Sequence, residues 1–130
     1  MRAETIAYNL LTAASGLSAL VGTRIYLDTR PEADPLPGVV YEIISDKQDN
    51  ARIGEQEMVT ARIQVTSFGQ IAEDAVNVRE QVRLAIHNKS GTIGGYTLLT
   101  SIESGAGPDS YDQLVNIYAK PMDFMLHYLR

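Results

Sequence analysis

The sequence contains no cysteine, no tryptophan and only two histidines. Without cysteine the chain has no disulfide, no thiolate ligand for zinc or an iron–sulfur cluster, and no cysteine nucleophile. Basic residues are also few, since 16 acidic residues outnumber 11 basic ones and give a formal charge of -5. Proteins that bind duplex DNA or RNA need a basic face that displaces counterions from the phosphates. The charge balance therefore argues against a nucleic-acid-binding protein.

The length and hydrophobicity of the chain are those of one folded domain. Its 130 residues support one hydrophobic core and are too few for two independently stable cores. With 45% hydrophobic and 21% charged residues, the composition lies within the ordinary globular range. We therefore expect a single domain over residues 1–130. Polar residues such as Glu4 and Asn9 interrupt the apolar N-terminal segment, which predicts neither a signal peptide nor a membrane span there.

Two segments have the periodicity of amphipathic helices. The first has apolar residues at intervals of three or four: Ile6, Leu10, Ala13, Leu17 and Leu20. Gly16 is expected to weaken or kink this helix, so that residues 17–21 form a separate short turn. The second helix is predicted over residues 70–87, with Ser67 or Gly69 as its cap. Its apolar stripe is Ile71, Ala75, Val78, Val82 and Ile86.

Other segments have the patterns of β-strands. Residues 58–68 alternate between apolar and polar side chains and are the clearest strand in the sequence. Further strands are predicted over residues 24–27, 39–45, 96–102 and 114–129, the last interrupted or bulged at Pro121. This order of elements predicts an α+β fold. We expect one twisted sheet of four to five strands, mixed or antiparallel, packed with two helices.

Three long polar segments separate these elements: residues 28–38, 46–57 and 104–113. We predict them to be loops, and residues 46–57 to be the long polar loop of a hairpin. Each is 10–12 residues long, close to the length of about 12 residues above which loops without secondary structure are uncommon in compact domains and are usually functional or disordered. Their presence on a small core suggests a protein that completes its surface against other subunits.

Groups suited to catalysis or to metal binding are sparse. His87 lies at the predicted end of a helix and His127 in the last strand, and neither has the serine and carboxylate neighbours of a catalytic triad. Four acidic residues cluster in one predicted loop, but they lack the spacing of a calcium-binding loop: Asp46, Asp49, Glu55 and Glu57. The glycines of residues 91–95 and 105–109 lack the helix and the Lys-Ser/Thr pair of a phosphate-binding loop. We expect no catalytic residues, no cofactor and no metal.

Several segments occur in a distinctive order. The first helix leads into Leu-x-x-Leu-Val-Gly-x-Arg-Ile-Tyr at Leu17–Tyr26, and a proline-bearing loop leads into Pro37-Gly-Val-Val-Tyr-Glu. A strand reads Arg-Ile-Gln-Val-Thr-Ser-Phe at Arg62–Phe68, and the closing strand contains Met-Asp-Phe-Met-Leu-His-Tyr from Met122. Over essentially the whole chain, this order resembles the small tail-completion proteins of long-tailed bacteriophages. These are also called tail terminator or tail-to-head joining proteins.

The resemblance implies a structural protein of the virion and no enzyme activity. Such a protein assembles with itself as a ring, commonly a hexamer, at the head-proximal end of the tail. There it ends polymerisation of the tail tube protein and joins the tail to the head completion or connector protein. DNA passes through the ring without specific binding, no membrane is involved, and assembly takes place in the cytoplasm of the bacterial host.

Residues 46–57 are the predicted contact with a neighbouring subunit or with the tube. The prediction depends on the length of this segment and on its one large apolar side chain. Lys47, Arg52, Ile53 and Glu55 are the candidate interface residues. Two alternatives remain open: another neck or minor tail component, such as a head-side adaptor or stopper, and a small ligand-binding domain or metal-independent enzyme. The latter would use the carboxylates around Asp109 and Asp112, and it requires a concave pocket with perturbed carboxylates.

Overall fold

The computed structural model describes residues 2–130, and for residue 50 the backbone alone. Within these residues, three helices and seven strands follow one another along the chain. In order they are α1 (Ala3–Ala13), α2 (Ser15–Val21), β1 (Ile25–Leu27), β2 (Gly38–Ile53), β3 (Gln56–Gly69), α3 (Ala72–Ile86), β4 (Gly91–Ile93), β5 (Tyr96–Ala106), β6 (Ser110–Asp112) and β7 (Ile117–Leu129).

All the strands belong to one mixed sheet with the order β1-β2-β3-β7-β5-β4, and β6 pairs with the first part of β7. β1 and β2 are parallel, and every other pair is antiparallel. The α+β prediction is confirmed. The sheet has more strands than the four to five expected, because two short strands, β4 and β6, lie in segments that were predicted as turn or loop.

The hydrophobic core lies between the helices and one face of the sheet. The predicted alternation along residues 58–68 is confirmed, since Val59, Ala61, Ile63 and Val65 are all at most 1% exposed. Phe124, Leu126 and Tyr128 of β7 are fully buried beside them. The opposite face of the sheet carries polar side chains along β3. The segment 28–37, which remains largely irregular as predicted, reaches this face where the Arg30 guanidinium lies 5.9 Å from the centre of the Phe68 ring.

The N-terminal helix is divided as predicted, but at a different residue. Ala14 has an extended backbone (φ -82°, ψ 107°) and separates α1 from α2, whereas Gly16 lies inside α2. Ala13 and Leu20 of the predicted stripe are exposed, whereas Ala3, three residues before Ile6 in α1, is buried. The second predicted helix is confirmed as α3. Its N-cap is Ile71 and not Ser67 or Gly69, which both belong to β3.

Residues 46–57 join two antiparallel strands as a hairpin, as predicted, but the prediction of a long loop within that hairpin was wrong. The antiparallel pairing of β2 and β3 extends to Ile53 and Gln56 at the end of the hairpin, with a register shift between Gln48 and Arg52 and with Gly54 at φ 62° in the turn. A hairpin that projects from the core has solvent on both faces, so its strands need no apolar alternation. Gly54 supplies the left-handed backbone that tight hairpin turns favour. The pattern of apolar residues therefore did not indicate that these strands extend beyond the core.

Residues 104–113 are also more regular than predicted. β5 extends to Ala106, and β6 pairs with residues 117–119 of β7. Pro121 does not interrupt β7, whose pairing with β3 continues in register through it. The Pro121 carbonyl accepts a hydrogen bond from Gly107 N at 2.9 Å, on the side of β7 where β5 gives way to β6. Because the N–H and C=O of one residue in an antiparallel strand point to the same neighbour, the missing N–H costs no hydrogen bond to β3.

No helix within residues 2–130 combines the length and the apolar character needed to cross a membrane.

Candidate interaction surfaces

The outer part of the β2–β3 hairpin, residues 46–57, is called the arm. Its base is attached to the core through Asp46. The Tyr128 hydroxyl donates a hydrogen bond to Asp46 Oδ1 at 2.9 Å, and Arg2 contacts Asp46 Oδ2 at 3.2 Å. Burial of Tyr128, together with its hydrogen bond to Asp46, raises the pKa of the Tyr128 hydroxyl. The base of the arm is therefore fixed to a fully buried side chain.

Ionic contacts brace the arm along its length. Glu57 forms ion pairs with Arg130 and, at 3.1 Å, with Arg52. The hydrogen bond and positive charge of Arg130 hold the pKa of the Glu57 carboxyl below its usual value. On the other strand, Asp49 accepts a hydrogen bond from Thr60 Oγ1 at 2.8 Å. These contacts favour one direction for the arm relative to the sheet.

The structure places all four predicted interface residues on the arm, and all four are exposed. Ile53 is 50% exposed, and it lies with Glu55 on either side of Gly54 at the tip. Arg52 is next to the tip and is held by Glu57. Lys47 lies farther back, opposite Thr60 in the ladder. The tip therefore combines one apolar side chain with neighbouring groups of both charges.

A second exposed apolar feature lies at the turn between β6 and β7. Leu114 is 94% exposed and Val115 is 56% exposed, and these two side chains are called the knob. The sequence patterns missed the knob because they assigned Leu114 to the last strand. A detectable signal was present, since polar turn-forming residues flank the Leu-Val pair on both sides.

An open pocket with a volume of about 590 Å³ lies between α1, α2, α3 and β4, and it is called the groove. Its lining includes the apolar residues Leu10, Ala13, Ala14, Leu84, Ala85 and Ile93. Gly94 brings the β4–β5 turn close to α1, since a Cβ atom there would lie 2.6 Å from Thr5 Cγ2. Leu84 is 51% exposed although it lines the groove. The groove is thus partly apolar and open to solvent.

The groups considered for catalysis are engaged in structural contacts. Asp109 pairs with Lys120 at 2.9 Å and with Arg79 at 3.1 Å, and the hydrogen bond from Lys120 is the main reason for its lowered pKa. A carboxyl with a lowered pKa is an anion at neutral pH, which disfavours its use as a general acid. His87 Nδ1 lies 3.1 Å from Glu103 N. Within residues 2–130, no three histidine or acidic side chains are grouped as metal ligands.

The two histidines and the second carboxylate do not converge. His127 contacts Thr60 Oγ1 at 3.0 Å on the sheet, whereas Asp112 lies in the β6–β7 hairpin and accepts a hydrogen bond from Leu114 N at 3.0 Å. Asp112 also lines the surface of a second pocket, which has a volume of about 630 Å³ and lies beside the irregular segment 30–36. Asp109 does not line this surface. The structure therefore does not bring the two carboxylates together in one pocket.

Comparisons with known proteins identify the family of the chain. The family model described as tail completion protein gp17 matches residues 8–123. A chain from the virion of a native gene transfer agent particle has a similar fold, with a TM-score of 0.71 and 17% identity over 96% of this chain and 92% of that chain. A second solved structure without a descriptive name has a TM-score of 0.57 and 13% identity, over 100% of this chain and 96% of that chain. No curated protein matches the sequence. The family match covers most of the chain, so the chain belongs to the tail completion protein gp17 family and is a structural protein of the bacteriophage tail.

Proposed function

We propose that the protein caps the tail tube as a ring, which ends tube polymerisation and joins the tail to the head connector. The observation that carries this proposal is the braced arm in a member of a tail completion family. A hairpin that exposes an isoleucine to water does not stabilise an isolated monomer. A subunit that contacts its neighbours does benefit from such a hairpin. Because the hairpin already has a fixed direction, it loses little conformational entropy on binding.

The ring would be built by a heterologous interface, in which one patch of a subunit meets a different patch on the next. We propose six copies, with the arm reaching a neighbouring subunit or the tube protein. Ile53 would supply the apolar contact at the tip. Lys47, Arg52 and Glu55 would surround it with charges that select the partner and the orientation.

The charge of the chain suits a ring through which DNA passes without being held. The formal charge is -5, and seven of the 11 basic side chains form ion pairs within residues 2–130. On the polar face of the sheet, for example, Arg62 forms an ion pair with Asp123, which also accepts a hydrogen bond from Gln64 at 3.1 Å. An arginine already paired with a carboxylate releases few counterions from DNA. We place the ring at the head-proximal end of the virion tail, after assembly in the host cytoplasm.

The decisive experiment is deletion of the gene in the parent phage, followed by electron microscopy of the particles. We expect tails of uncontrolled length that are detached from filled heads. Normal infectious virions would overturn the proposal. Purified protein that binds filled heads and not tails would instead support a head-side adaptor or stopper.

The role of the arm is tested by complementation of that deletion with Ile53→Ser. Ile71→Ser is the matched control, because Ile71 is 53% exposed and lies at the start of α3, away from the arm. We expect both variants to fold with wild-type melting temperatures and only Ile71→Ser to restore infectious particles. Full complementation by Ile53→Ser would show that the tip of the arm does not contribute to the interface.

A further inference from the structure

We propose that the knob of one copy docks in the groove of the next copy, so that Leu114 and Val115 cover the apolar lining between α1 and α3. This inference rests on the ring proposed above and adds a second contact to it. The partner is a second copy of this chain, and the contact lies outside the arm.

The knob is held in place by its own hairpin. The rings of Tyr111 and Tyr118 lie 4.3 Å apart across β6 and β7. The Tyr111 hydroxyl donates to Asn116 Oδ1 at 2.7 Å, and Leu114 N donates to Asp112 Oδ1 at 3.0 Å. A turn fixed at both ends loses little entropy when its side chains are buried by a partner. Two adjacent apolar side chains presented in this way are typical of a contact surface.

The groove has suitable dimensions and chemistry for these side chains. Its volume of about 590 Å³ falls in the range of about 300–1,000 Å³ that accommodates a small-molecule ligand, which leaves room for a leucine and a valine. Leu84 and Ile93 supply apolar surface, and Asn9, Gln81 and Thr92 supply polar groups in the same lining. Protein–protein interfaces commonly combine apolar surface with such polar groups.

Charge complementarity favours another copy of the chain as the occupant. Asp112 lies beside the knob, and Lys89 lies beside the groove. Among residues 2–130, neither side chain belongs to an ion pair. When the knob enters the groove, Asp112 approaches Lys89. A pair at the rim contributes little affinity but sets the orientation of the two copies.

The separation of the two surfaces makes the contact intermolecular. β7 begins next to the knob, and its last residue, Leu129, pairs with Thr97 near the β4–β5 turn that borders the groove. The 13 residues of β7 rise about 3.3 Å each, so the two surfaces lie about 40 Å apart. A knob cannot reach the groove of its own copy. Contacts between two different patches propagate from copy to copy and close a ring when the rotation permits.

Cysteine cross-linking tests this contact directly, because the chain has no native cysteine. Full-length protein carrying Leu114→Cys and Leu84→Cys is mixed with purified tail tubes and treated with a short bis-maleimide. We expect a ladder of covalent oligomers that ends at the size of the ring. The matched control combines Leu114→Cys with Val76→Cys, which is 42% exposed on the same helix and outside the groove, and should give no ladder.

The outcomes separate this inference from the proposed function. Rings that form on tail tubes without a 114–84 ladder would overturn the knob contact and leave the proposed function intact. A symmetric dimer from Leu114→Cys alone would overturn it as well, since that product joins knob to knob. The absence of any ring on tail tubes would overturn both proposals.

A second variant avoids the cross-linker. Leu114→Ser should leave the melting temperature unchanged, because Leu114 is 94% exposed in the single chain. It should weaken self-association about tenfold or more, as expected when one buried leucine is lost from an interface. Unchanged self-association, measured by mass over a concentration series, would count against the contact.

Discussion

The Ser101 hydroxyl on β5 donates a hydrogen bond to the carbonyl oxygen of Ile86, the last residue of α3. The same Oγ accepts a hydrogen bond from Lys89 N at 2.9 Å. The last carbonyls of a helix have no partner within the helix, so a side chain from the sheet can satisfy one of them. Ser101 is fully buried, and it holds the end of α3 beside the groove.

Ser101→Ala should destabilise the protein by about 1–3 kcal/mol, the usual cost of leaving buried polar groups without a partner. Both the Ile86 carbonyl and Lys89 N would lose a hydrogen bond. Urea denaturation followed by circular dichroism measures the change in the free energy of unfolding. A change smaller than about 0.5 kcal/mol, typical of surface substitutions, would show that water replaces the hydroxyl at no cost.

Ser67→Ala is the same chemical change at a second fully buried serine, with the opposite expected result. Ser67 Oγ has no hydrogen-bond partner among the described residues. A buried hydroxyl without a partner is unfavourable, so its removal should leave stability unchanged or raise it by about 1 kcal/mol. The same denaturation experiment makes the comparison with Ser101→Ala. Clear destabilisation would reveal a partner for Ser67, such as a bound water.

Tyr128→Phe should lower the free energy of unfolding by about 1–2 kcal/mol, because Asp46 loses a hydrogen bond at the base of the arm. Tyr8→Phe is the control, since Tyr8 is 48% exposed. Its effect should stay within about 0.5 kcal/mol. Equal melting temperatures for both variants would mean that Arg2 alone is sufficient to hold Asp46.

The stability of the protein should decrease in alkaline solution in a way that depends on Tyr128. Burial and the hydrogen bond to Asp46 raise the pKa of Tyr128 above the value of about 10 found in unfolded chains. The unfolded chain therefore releases this proton first. The resulting stabilisation is complete below about pH 10 and is lost as the pH rises toward the pKa of the folded state.

Unfolding experiments between pH 8 and pH 11 measure how the free energy of unfolding depends on pH. The upper limit lies about one unit above the ordinary tyrosine pKa. Tyr128→Phe should flatten the decrease without abolishing it, because burial also raises the pKa of Tyr41. Identical slopes for wild type and Tyr128→Phe would contradict the assignment to Tyr128.

Sequence patterns predicted the elements whose side chains meet the core. The stripe along α3 and the alternation along β3 follow the geometry of a helix and of a strand. Burial confirms the alternation and four of the five stripe residues, whereas Ile71 precedes the helix and is 53% exposed. The candidate interface residues were proposed because Ile53 is the one large apolar side chain in a polar segment. The hairpin was predicted, but the strand pairing within residues 46–57 was not, since backbone pairing between two solvent-exposed strands leaves no hydrophobic pattern.

The sequence by itself determined the α+β class, the main core residues and the acidic balance, because each depends on local periodicity or on composition. Only the tertiary structure decided the direction of the arm, the exposure of the knob and the presence of the groove. Asp46 meets Tyr128 across 82 positions of sequence, and the groove joins residues of α1, α3 and β4. Such contacts depend on strand order and register, which no local pattern of residues specifies.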